Sequence, residues 1–300
     1  GLDDRFGQAA ALSELSVVRR MTADHPGAIR DIEQALALHR AVGDHGGEAS
    51  SLIELGIELY LVSEHSGSVR ALDRALDLNR RLGNRLGLAT ALTYLGGVRR
   101  AAGDLPTAVE NLQEALALHR SLGNPNGQAA ALGELGSVRW TDGDYPGAIR
   151  DMEAAIEIFR GLGSRMGEGT TLTTLGAARR DAGDHRGAVR DLERALELFR
   201  AVGARGNEAW ALNHYAAVFT GTGDFDRAIV LHGEALDIAR DKDVPEERAL
   251  AFEGIGQCLV RAGDIPGGAA SLNRALEIFQ GLKMSDVKRV EAQLAELRTA

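Results

Sequence analysis

The sequence predicts an all-α protein made of seven consecutive helix-turn-helix repeats and closed by one further helix. Three observations lead to this prediction. Equivalent residues recur every 40 positions, apolar residues within each copy follow helical spacing, and glycine and acidic residues mark the same turns in successive copies. A fixed period in this range indicates a solenoid, in which each unit buries its apolar face against its neighbours.

One column of the 40-residue repeat is alanine in all seven copies, and the next column is leucine or isoleucine. The alanine column is Ala35, Ala75, Ala115, Ala155, Ala195, Ala235 and Ala275. A small residue followed by a branched apolar residue at one fixed position indicates the same packing in each copy. We therefore predict a single domain over residues 1–300, with repeats at 5–44, 45–84, 85–124, 125–164, 165–204, 205–244 and 245–284.

The first helix of each repeat, helix A, is predicted from apolar and small residues at helical spacing. In the fourth repeat these residues are Ala130, Leu132, Leu135 and Val138. Short polar side chains precede helix A in several copies, where their oxygen can accept a hydrogen bond from the first helical turn. These residues are Asp44, Asn84, Asn124 and Ser164.

The second helix, helix B, follows a turn and is predicted in the fourth repeat from Ile149, Met152 and Ile156. An acidic residue stands before helix B in all seven copies, where it can cap free N–H groups and favour the positive helix end. These residues are Asp24, Glu64, Asp104, Asp144, Asp184, Asp224 and Asp264. Glycine ends helix B in the first five copies, as expected of left-handed caps. These residues are Gly43, Gly83, Gly123, Gly163 and Gly203.

One more amphipathic helix is predicted over residues 286–298, from Val287, Val290, Leu294 and Leu297 at helical spacing. No second helix follows to pair with it in the sequence. We therefore expect this helix to cap the last repeat, because the ends of a solenoid need a polar cover.

The composition excludes several classes of protein. The formal charge is −9 and the isoelectric point is near 5.4, which opposes general binding to nucleic acid. Cys258 is the single cysteine, so no intrachain disulfide is possible, and its apolar neighbours predict a packing residue. No segment approaches the roughly 18 consecutive apolar residues of a membrane span. These features predict a cytoplasmic protein that contacts neither nucleic acid nor membrane.

The repeat resembles the tetratricopeptide repeat (TPR) family. The resemblance rests on Leu135-Gly136, Gly143-Asp144, Ala148 and Ala155 and their equivalents, and it covers essentially the whole chain. It implies a right-handed superhelix whose A helices line a groove that binds peptides. The 40-residue period resembles that of kinesin light chains, spindle adaptors and the C-terminal arrays of bacterial STAND and SARP-type regulators. The arginine-rich composition fits the bacterial regulators best.

Carrying the family's register across predicts a ladder of groove residues on successive A helices, with two further contacts in the sixth repeat. The ladder is Arg20, Tyr60, Arg100, Trp140 and Arg180, and the further contacts are Trp210 and Asn213. Arginine can grip a carboxylate through two hydrogen bonds, while tryptophan and tyrosine supply rigid apolar contact. The ladder therefore predicts a locally positive stripe and a protein or peptide partner with acidic and apolar groups.

Two interpretations of the ladder that need no ligand stay open. Arginine and aromatic side chains can stack on one another between adjacent helices. A duplicated pair of repeats would also leave such an alternation. The register is a further question, because Arg19, Arg99 and Arg179 lie directly beside the ladder.

The sequence predicts no catalytic residue, cofactor or metal, and hence no enzyme. No glycine is followed by lysine, so a phosphate-binding loop is absent from the sequence, and the eight histidines do not follow zinc-site spacing. An arginine column near the end of helix B is explained by the negative helix end and by acidic residues on the same helix. This column is Arg40, Arg80, Arg120, Arg160, Arg200 and Arg240.

The predicted function is protein or peptide binding, and the resemblance implies the sensor or interaction arm of a larger bacterial signalling or transcriptional regulator. One alternative is a structural arm that self-associates through the first repeat, where Leu12, Leu15 and Val18 lack a cover. A second is an accessory domain that senses a small molecule. A third is a designed consensus array, which the irregular second and sixth repeats argue against.

Overall fold

The computed structural model describes residues 2–22, 24–282, 284 and 286–299, so positions 23 and 283 of the predicted repeats lie outside the described residues. Within these ranges the chain forms fifteen α-helices and no strand, which confirms the predicted all-α repeats. Helices with odd numbers up to α13 are the A helices, and those with even numbers are the B helices. They are α1 (Leu2–Met21), α2 (His25–Val42), α3 (His45–Leu61), α4 (His65–Leu82), α5 (Arg85–Ala101), α6 (Leu105–Ser121), α7 (Pro125–Thr141), α8 (Tyr145–Gly161), α9 (Arg165–Asp181), α10 (His185–Val202), α11 (Arg205–Thr222), α12 (Phe225–Asp241), α13 (Pro245–Arg261), α14 (Ile265–Leu282) and α15 (Val287–Thr299).

The helices group into two compact units, Gly1–Ile158 and Phe159–Ala300. In the first unit A helices pack against the B helices that follow them, as in α1 with α2, α3 with α4 and α5 with α6. The second unit repeats this arrangement, as in α9 with α10 and α11 with α12. The A helices of neighbouring repeats also touch inside each unit, so their exposed sides form a shared face. That the whole chain is one domain stays a prediction.

The core of each repeat lies where helix A meets helix B. Every residue of the alanine column is 0 % exposed, as its invariance predicts. Small residues of helix A face large apolar residues of helix B across this contact. At Gly176, for example, a Cβ atom would lie 2.6 Å from Cγ of Leu192. The two helices therefore approach more closely than any side chain at position 176 would allow.

The predicted helix caps are formed in most repeats. The Asp144 carboxylate accepts a hydrogen bond of 3.0 Å from the backbone N–H of Gly147, and Asp184 accepts one of 2.9 Å from Gly187. The prediction is wrong for Glu64, whose side chain makes no cap hydrogen bond. Its chain is one methylene longer than that of aspartate, and aspartate is the preferred capping residue.

The two ends of the chain differ in how they cover their apolar residues. Helix α15 begins one residue later than predicted, and its Val290 and Leu294 pack on Leu272 of α14, which confirms its role as a cap. At the other end α1 leaves Leu15 41 % and Val18 54 % exposed. Two of the three apolar residues that the sequence predicts to lack a cover are therefore exposed, and the third, Leu12, is half-buried.

Among the described residues, no helix combines the length and the apolar character needed to cross a bilayer.

Candidate functional site

In the first unit the predicted ladder lies half-buried on the shared face of the A helices. Arg20 on α1 donates through Nη1 to Oε2 of Glu54 over 2.8 Å, and its Nε lies 3.5 Å from Oε1 of Glu58. Both acids belong to α3, the next A helix. The first arginine of the ladder therefore joins two successive repeats.

The same relation recurs one step along the ladder. Arg100 on α5 donates through Nη2 to the Tyr60 hydroxyl over 3.4 Å, and its Nε lies 3.8 Å from Oε2 of Glu134 on α7. Burial raises the pKa of the Glu134 carboxyl, and the Arg100 charge opposes that rise. Glu54 and Glu134 share a second column of the A helices, which faces the ladder across neighbouring repeats.

The predicted positive stripe is corrected by these contacts. In the second unit Arg180 also has an acidic partner, since its Nε donates to Oδ1 of Asp181 over 2.8 Å. Arg20, Arg100 and Arg180 each lie within 3.8 Å of a carboxylate. The positive charge of each of these three arginines is therefore offset by a carboxylate of the facing column or of the same helix.

The neighbouring arginine column has a different set of partners from the ladder. Arg19 donates through Nε to Asp31 over 2.6 Å, and Arg139 donates through Nη1 to Asp151 over 2.6 Å. Each pair joins helix A to helix B of one repeat. Arg99 on α5 instead donates to Asp73 on α4 over 3.3 Å and so joins two repeats. The column therefore pairs with acids of the B helices, while the ladder lies on the shared face.

The arginine column of helix B has the predicted partner on its own helix in one copy, where Arg240 lies 3.8 Å from Asp237, and a different partner in several others. Arg40 donates to Glu48 over 2.8 Å and Arg200 donates to Glu208 over 2.7 Å. These acids lie on the A helix of the next repeat, whereas the sequence predicted partners on the same helix. The reason is that the short loop between repeats brings the end of helix B beside the start of the next helix A.

The second unit contains an open cavity of about 510 Å³ on the face of its A helices. Two of the predicted site residues, Arg180 and Asn213, line it. Trp210 is half-buried and packs edge-on against the His214 ring, with 5.5 Å between ring centroids. The residues that line the cavity and were not predicted are Asp181, His185, His214, Ala217, Thr220, Gly221, His232, Leu250, Glu253, Gly254, Gln257, Arg261 and Arg289.

Asn213 is engaged with the protein itself. Its Nδ2 donates to the carbonyl of Glu247 over 3.0 Å and to Oε2 of the same residue over 2.8 Å. Its Oδ1 lies 2.9 Å from Nδ1 of His232. Burial raises the pKa of Glu247 to about 7 and lowers the pKa of His232 to about 4. Asn213 therefore links α11, α12 and α13, whereas the sequence suggested a hydrogen bond to a ligand backbone.

The cavity has one acidic centre that is fully enclosed by donors. Glu253 is 4 % exposed and accepts from Arg289 over 2.7 Å at Oε2. Its Oε1 accepts from Gln257 over 3.2 Å and from Gln293 over 3.0 Å. Helix α15 supplies Arg289 and Gln293, so the capping helix also forms part of the cavity wall.

Arg261 stands apart from the other two arginines of the cavity. Its side chain is exposed, and its Nη1 donates to the backbone carbonyl of Thr220 over 3.1 Å. Sequence reasoning missed it because the equivalent position in the other repeats never holds arginine. His214 could have been found, since it occupies the column of Glu54 and Glu134 that faces the ladder.

No group of three or more histidine, cysteine, aspartate or glutamate side chains able to hold a metal ion occurs in the described part of the chain.

A family model described as tetratricopeptide repeat matches the chain in four overlapping segments, residues 59–121, 87–161, 127–201 and 167–241. Together these segments cover residues 59–241, more than half of the 300 residues. A search of curated proteins finds no match to the chain.

Several solved structures share the fold at low sequence identity. A Rap protein in complex with competence and sporulation factor has a TM-score of 0.76 at 16 % identity, over 92 % of this chain and 76 % of that one. The Rap conjugation gene regulator of plasmid pLS20, in complex with the Phr* peptide, has a TM-score of 0.73 at 17 % identity, over 89 % and 72 %. A STAND protein with a tetratricopeptide repeat sensor, from Pyrococcus horikoshii, has a TM-score of 0.67 at 12 % identity, over 98 % and 47 %.

Proposed function

Because this chain belongs to the tetratricopeptide repeat family, we propose that it is a non-catalytic scaffold that binds a protein or peptide on the face of its A helices. The observation that carries the proposal is the open cavity of about 510 Å³ in the second unit. Its volume falls in the range of ligand sites, and its wall combines charged groups with the apolar side chain of Leu250. Two of the structures that share the fold are Rap proteins in complex with a signalling factor or peptide, which supports the same kind of ligand here.

The partner in this proposal carries acidic and apolar groups. In the first unit the guanidinium groups of Arg20 and Arg100 would bind acidic groups of the ligand beside their present carboxylate partners, while Tyr60 and Trp140 supply apolar contact. In the second unit Arg180 would bind an acidic group and Trp210 would supply apolar contact. Asn213 would fix the cavity wall through its hydrogen bonds to α12 and α13. Aromatic and arginine side chains are the residues that most often dominate binding energy at such surfaces.

In this proposal the scaffold serves as the sensor or interaction arm of a larger bacterial signalling or transcriptional regulator in the cytoplasm. The STAND protein supports this part, because its tetratricopeptide repeats are described as a sensor. This chain matches 47 % of that protein's length. The proposal therefore includes further domains in the complete regulator.

Selection from a displayed library of random peptides tests the binding function. We expect the immobilised chain to enrich peptides that contain glutamate or aspartate next to leucine or aromatic residues. A scrambled form of each enriched peptide is the control. Failure to enrich any peptide above an uncoated surface would contradict peptide binding.

Self-association is a second candidate, favoured by the apolar residues that α1 exposes. Phe6 is 51 % exposed and Met21 is 81 % exposed, in addition to Leu15 and Val18. Exposed apolar patches commonly mark contacts between chains. Sedimentation of the wild type and of Val18→Asp over a range of concentrations tests this function, and a monomer at every concentration would reject it.

A further inference from the structure

Building on the proposed function, we propose that the cavity of the second unit is a subsite for one carboxylate group, held by Arg261, and that His214 takes up a proton when the carboxylate enters. The carboxylate can come from an acidic side chain of a peptide or from a free small carboxylic acid. Four features of the cavity support this assignment.

The first feature is the charge on the cavity wall. Three arginines, Arg180, Arg261 and Arg289, face two carboxylates, Asp181 and Glu253. Arg180 pairs with Asp181 over 2.8 Å, and Arg289 pairs with Glu253 over 2.7 Å. The remaining positive charge belongs to Arg261. Its guanidinium is exposed and donates one hydrogen bond to a neutral carbonyl. Most of its five N–H donors can therefore bind a ligand.

The second feature is a hydrogen-bonding group without a partner. Nδ1 of His185 is shielded from solvent and has no hydrogen-bond partner within the described residues. Burying a polar atom in this way is costly unless something pairs with it. His185 lines the cavity, so a rotation of its ring that turns this nitrogen toward the cavity would let it donate to a carboxylate oxygen in the appropriate tautomer.

The third feature is the room on the cavity floor. Ala217 and Gly221 on α11 and Gly254 on α13 line the cavity with little or no side chain. Gly254 is also required by packing, since a Cβ atom there would lie 2.1 Å from Nε2 of His232. Small residues at these points let a ligand carboxylate reach Arg261 between α11 and α13.

The fourth feature is the setting of His214. Burial and the charge of Arg180 lower its pKa to about 4, with Asp181 acting in the opposite direction. The ring is therefore neutral near pH 7. The ionisable groups that line the same cavity are Arg180 and Asp181 on α9, His185 on α10, His232 on α12, Glu253 and Arg261 on α13, and Arg289 on α15.

A carboxylate in this cavity changes the protonation of His214 in a defined direction. Its negative charge offsets the repulsion from Arg180 and favours the imidazolium form. The complex then binds more protons than the free protein. The affinity for the carboxylate should therefore rise as the pH falls below 7 toward the pKa of the free histidine, provided the ligand stays ionised.

Isothermal titration calorimetry on the whole chain tests the site. The probe is an acetylated and amidated peptide with two glutamates between leucines, compared with the same peptide carrying glutamines and with free glutarate. We expect the glutamate peptide to bind at least about tenfold more tightly than the glutamine peptide, as expected for a charged hydrogen bond. Arg261→Gln should remove most of this difference, and Arg120→Gln on α6, an exposed arginine of the first unit, should leave it intact.

The same titrations distinguish the possible outcomes. Glutarate binding that depends on Arg261 as strongly as peptide binding does identifies a free carboxylic acid as a ligand source. Equal affinity of the wild type and Arg261→Gln, equal affinity for the glutamine peptide, or no binding of either carboxylate probe overturns the subsite. The library selection still decides the proposed peptide-binding function in that case, because it detects peptide binding whether or not Arg261 holds a carboxylate.

Titration in two buffers of different ionisation enthalpy, at about pH 5.5 where the ligand carboxylates stay ionised, tests the proton uptake. The wild type should take up a proton on binding, and His214→Asn should not, although it still binds the glutamate peptide. Circular dichroism checks that each variant is folded. Undiminished proton uptake in His214→Asn would assign the proton to another group and overturn this part of the proposal.

Discussion

The guanidinium of Arg100 donates a hydrogen bond to the hydroxyl of Tyr60 over 3.4 Å, although the two residues occupy the same position in consecutive repeats. The alternation of arginine and aromatic residues therefore includes a contact between repeats, and Glu134 adds a second contact at 3.8 Å. These contacts match a ladder that needs no ligand. They leave ligand binding open, since all three side chains lie on the accessible face of the A helices.

We expect Arg100→Ala to weaken the binding of a library-selected peptide by about 1–3 kcal/mol, the contribution of a hydrogen bond to a charged group. Its free energy of unfolding should fall by less than about 1 kcal/mol, because the ion pair with Glu134 is partly exposed. Titration calorimetry and urea denaturation measure the two quantities separately.

The control for this prediction is Arg120→Ala, which removes an exposed arginine of helix B in the same unit. It should leave peptide affinity unchanged. If Arg100→Ala and the wild type bind the selected peptide with equal affinity, Arg100 and Tyr60 have a purely structural role.

The repeat architecture could be predicted because several signals agree at each boundary. Ala155 lies in an invariant column, Asp144 caps helix B, and Gly163 ends it with a φ of 66°. The prediction failed at Glu64, where the right charge stands in the right place with the wrong side-chain length. Periodicity locates such positions, but only geometry decides whether the hydrogen bond forms.

The cavity could be predicted only in part. Arg180 and Asn213 follow from the register of helix A, because that register repeats. Arg261 and Arg289 do not, because the first has no arginine in the equivalent positions and the second lies on α15, outside the repeats. Contacts between such singular positions depend on packing in three dimensions, which the 40-residue period does not encode.

Gly176→Ala should destabilise the second unit. The added methyl group would lie 2.6 Å from Cγ of Leu192, which cannot swing aside as the end of a long side chain could. Overpacking of this kind costs about 1–3 kcal/mol, more than the gain in helix propensity from glycine to alanine. Thermal and urea denaturation followed by circular dichroism measure the loss.

Gly233→Ala is the matched control, because Gly233 lies inside α12 of the same unit and an added Cβ would meet nothing within 4 Å. We expect a gain of up to about 1 kcal/mol there. The sixth repeat carries Ala216 at the position of Gly176, opposite His232 in place of leucine. A stable Gly176→Ala variant would show that helices A and B can separate at no cost.

Asp144→Ala should lower the stability of the first unit by about 0.5–2 kcal/mol, the usual contribution of an N-cap side chain. The variant leaves the backbone N–H of Gly147 without its 3.0 Å acceptor at the start of α8. Glu64→Ala changes the equivalent position of α4, where no such hydrogen bond exists, and should be neutral within about 0.5 kcal/mol. Equal losses in urea denaturation would mean that charge near the helix end matters and the hydrogen bond does not.

The last prediction concerns the pH dependence of stability set by Glu247. Burial, helped by the nearby Glu246 charge, raises its pKa from 4.5 to about 7, although the Asn213 hydrogen bond opposes the rise. The folded protein therefore holds a proton there that the unfolded chain has released. The contribution of this residue to stability is present below pH 4.5 and is lost as the pH rises toward 7.

Two histidines, His214 and His232, affect stability with the opposite sign over an overlapping range of pH. The pKa values of His214 and His232 fall from 6.5 to about 4, so the unfolded chain takes up protons that the folded protein does not. Their effect makes the protein more stable as the pH rises from 4 to 6.5. In the wild type the trends of the glutamate and the histidines partly cancel.

Glu247→Gln removes the titration of the glutamate while keeping a side chain that can form a hydrogen bond with Asn213. Relative to the wild type, the variant should become more stable as the pH rises from 5 to 7, by a few kcal/mol at most, since one pKa unit corresponds to about 1.4 kcal/mol. Urea denaturation at both pH values measures this difference, with Glu234→Gln, an exposed site on α12, as the control. A difference between Glu247→Gln and the wild type that does not change with pH would show that Glu247 is ionised in the folded protein.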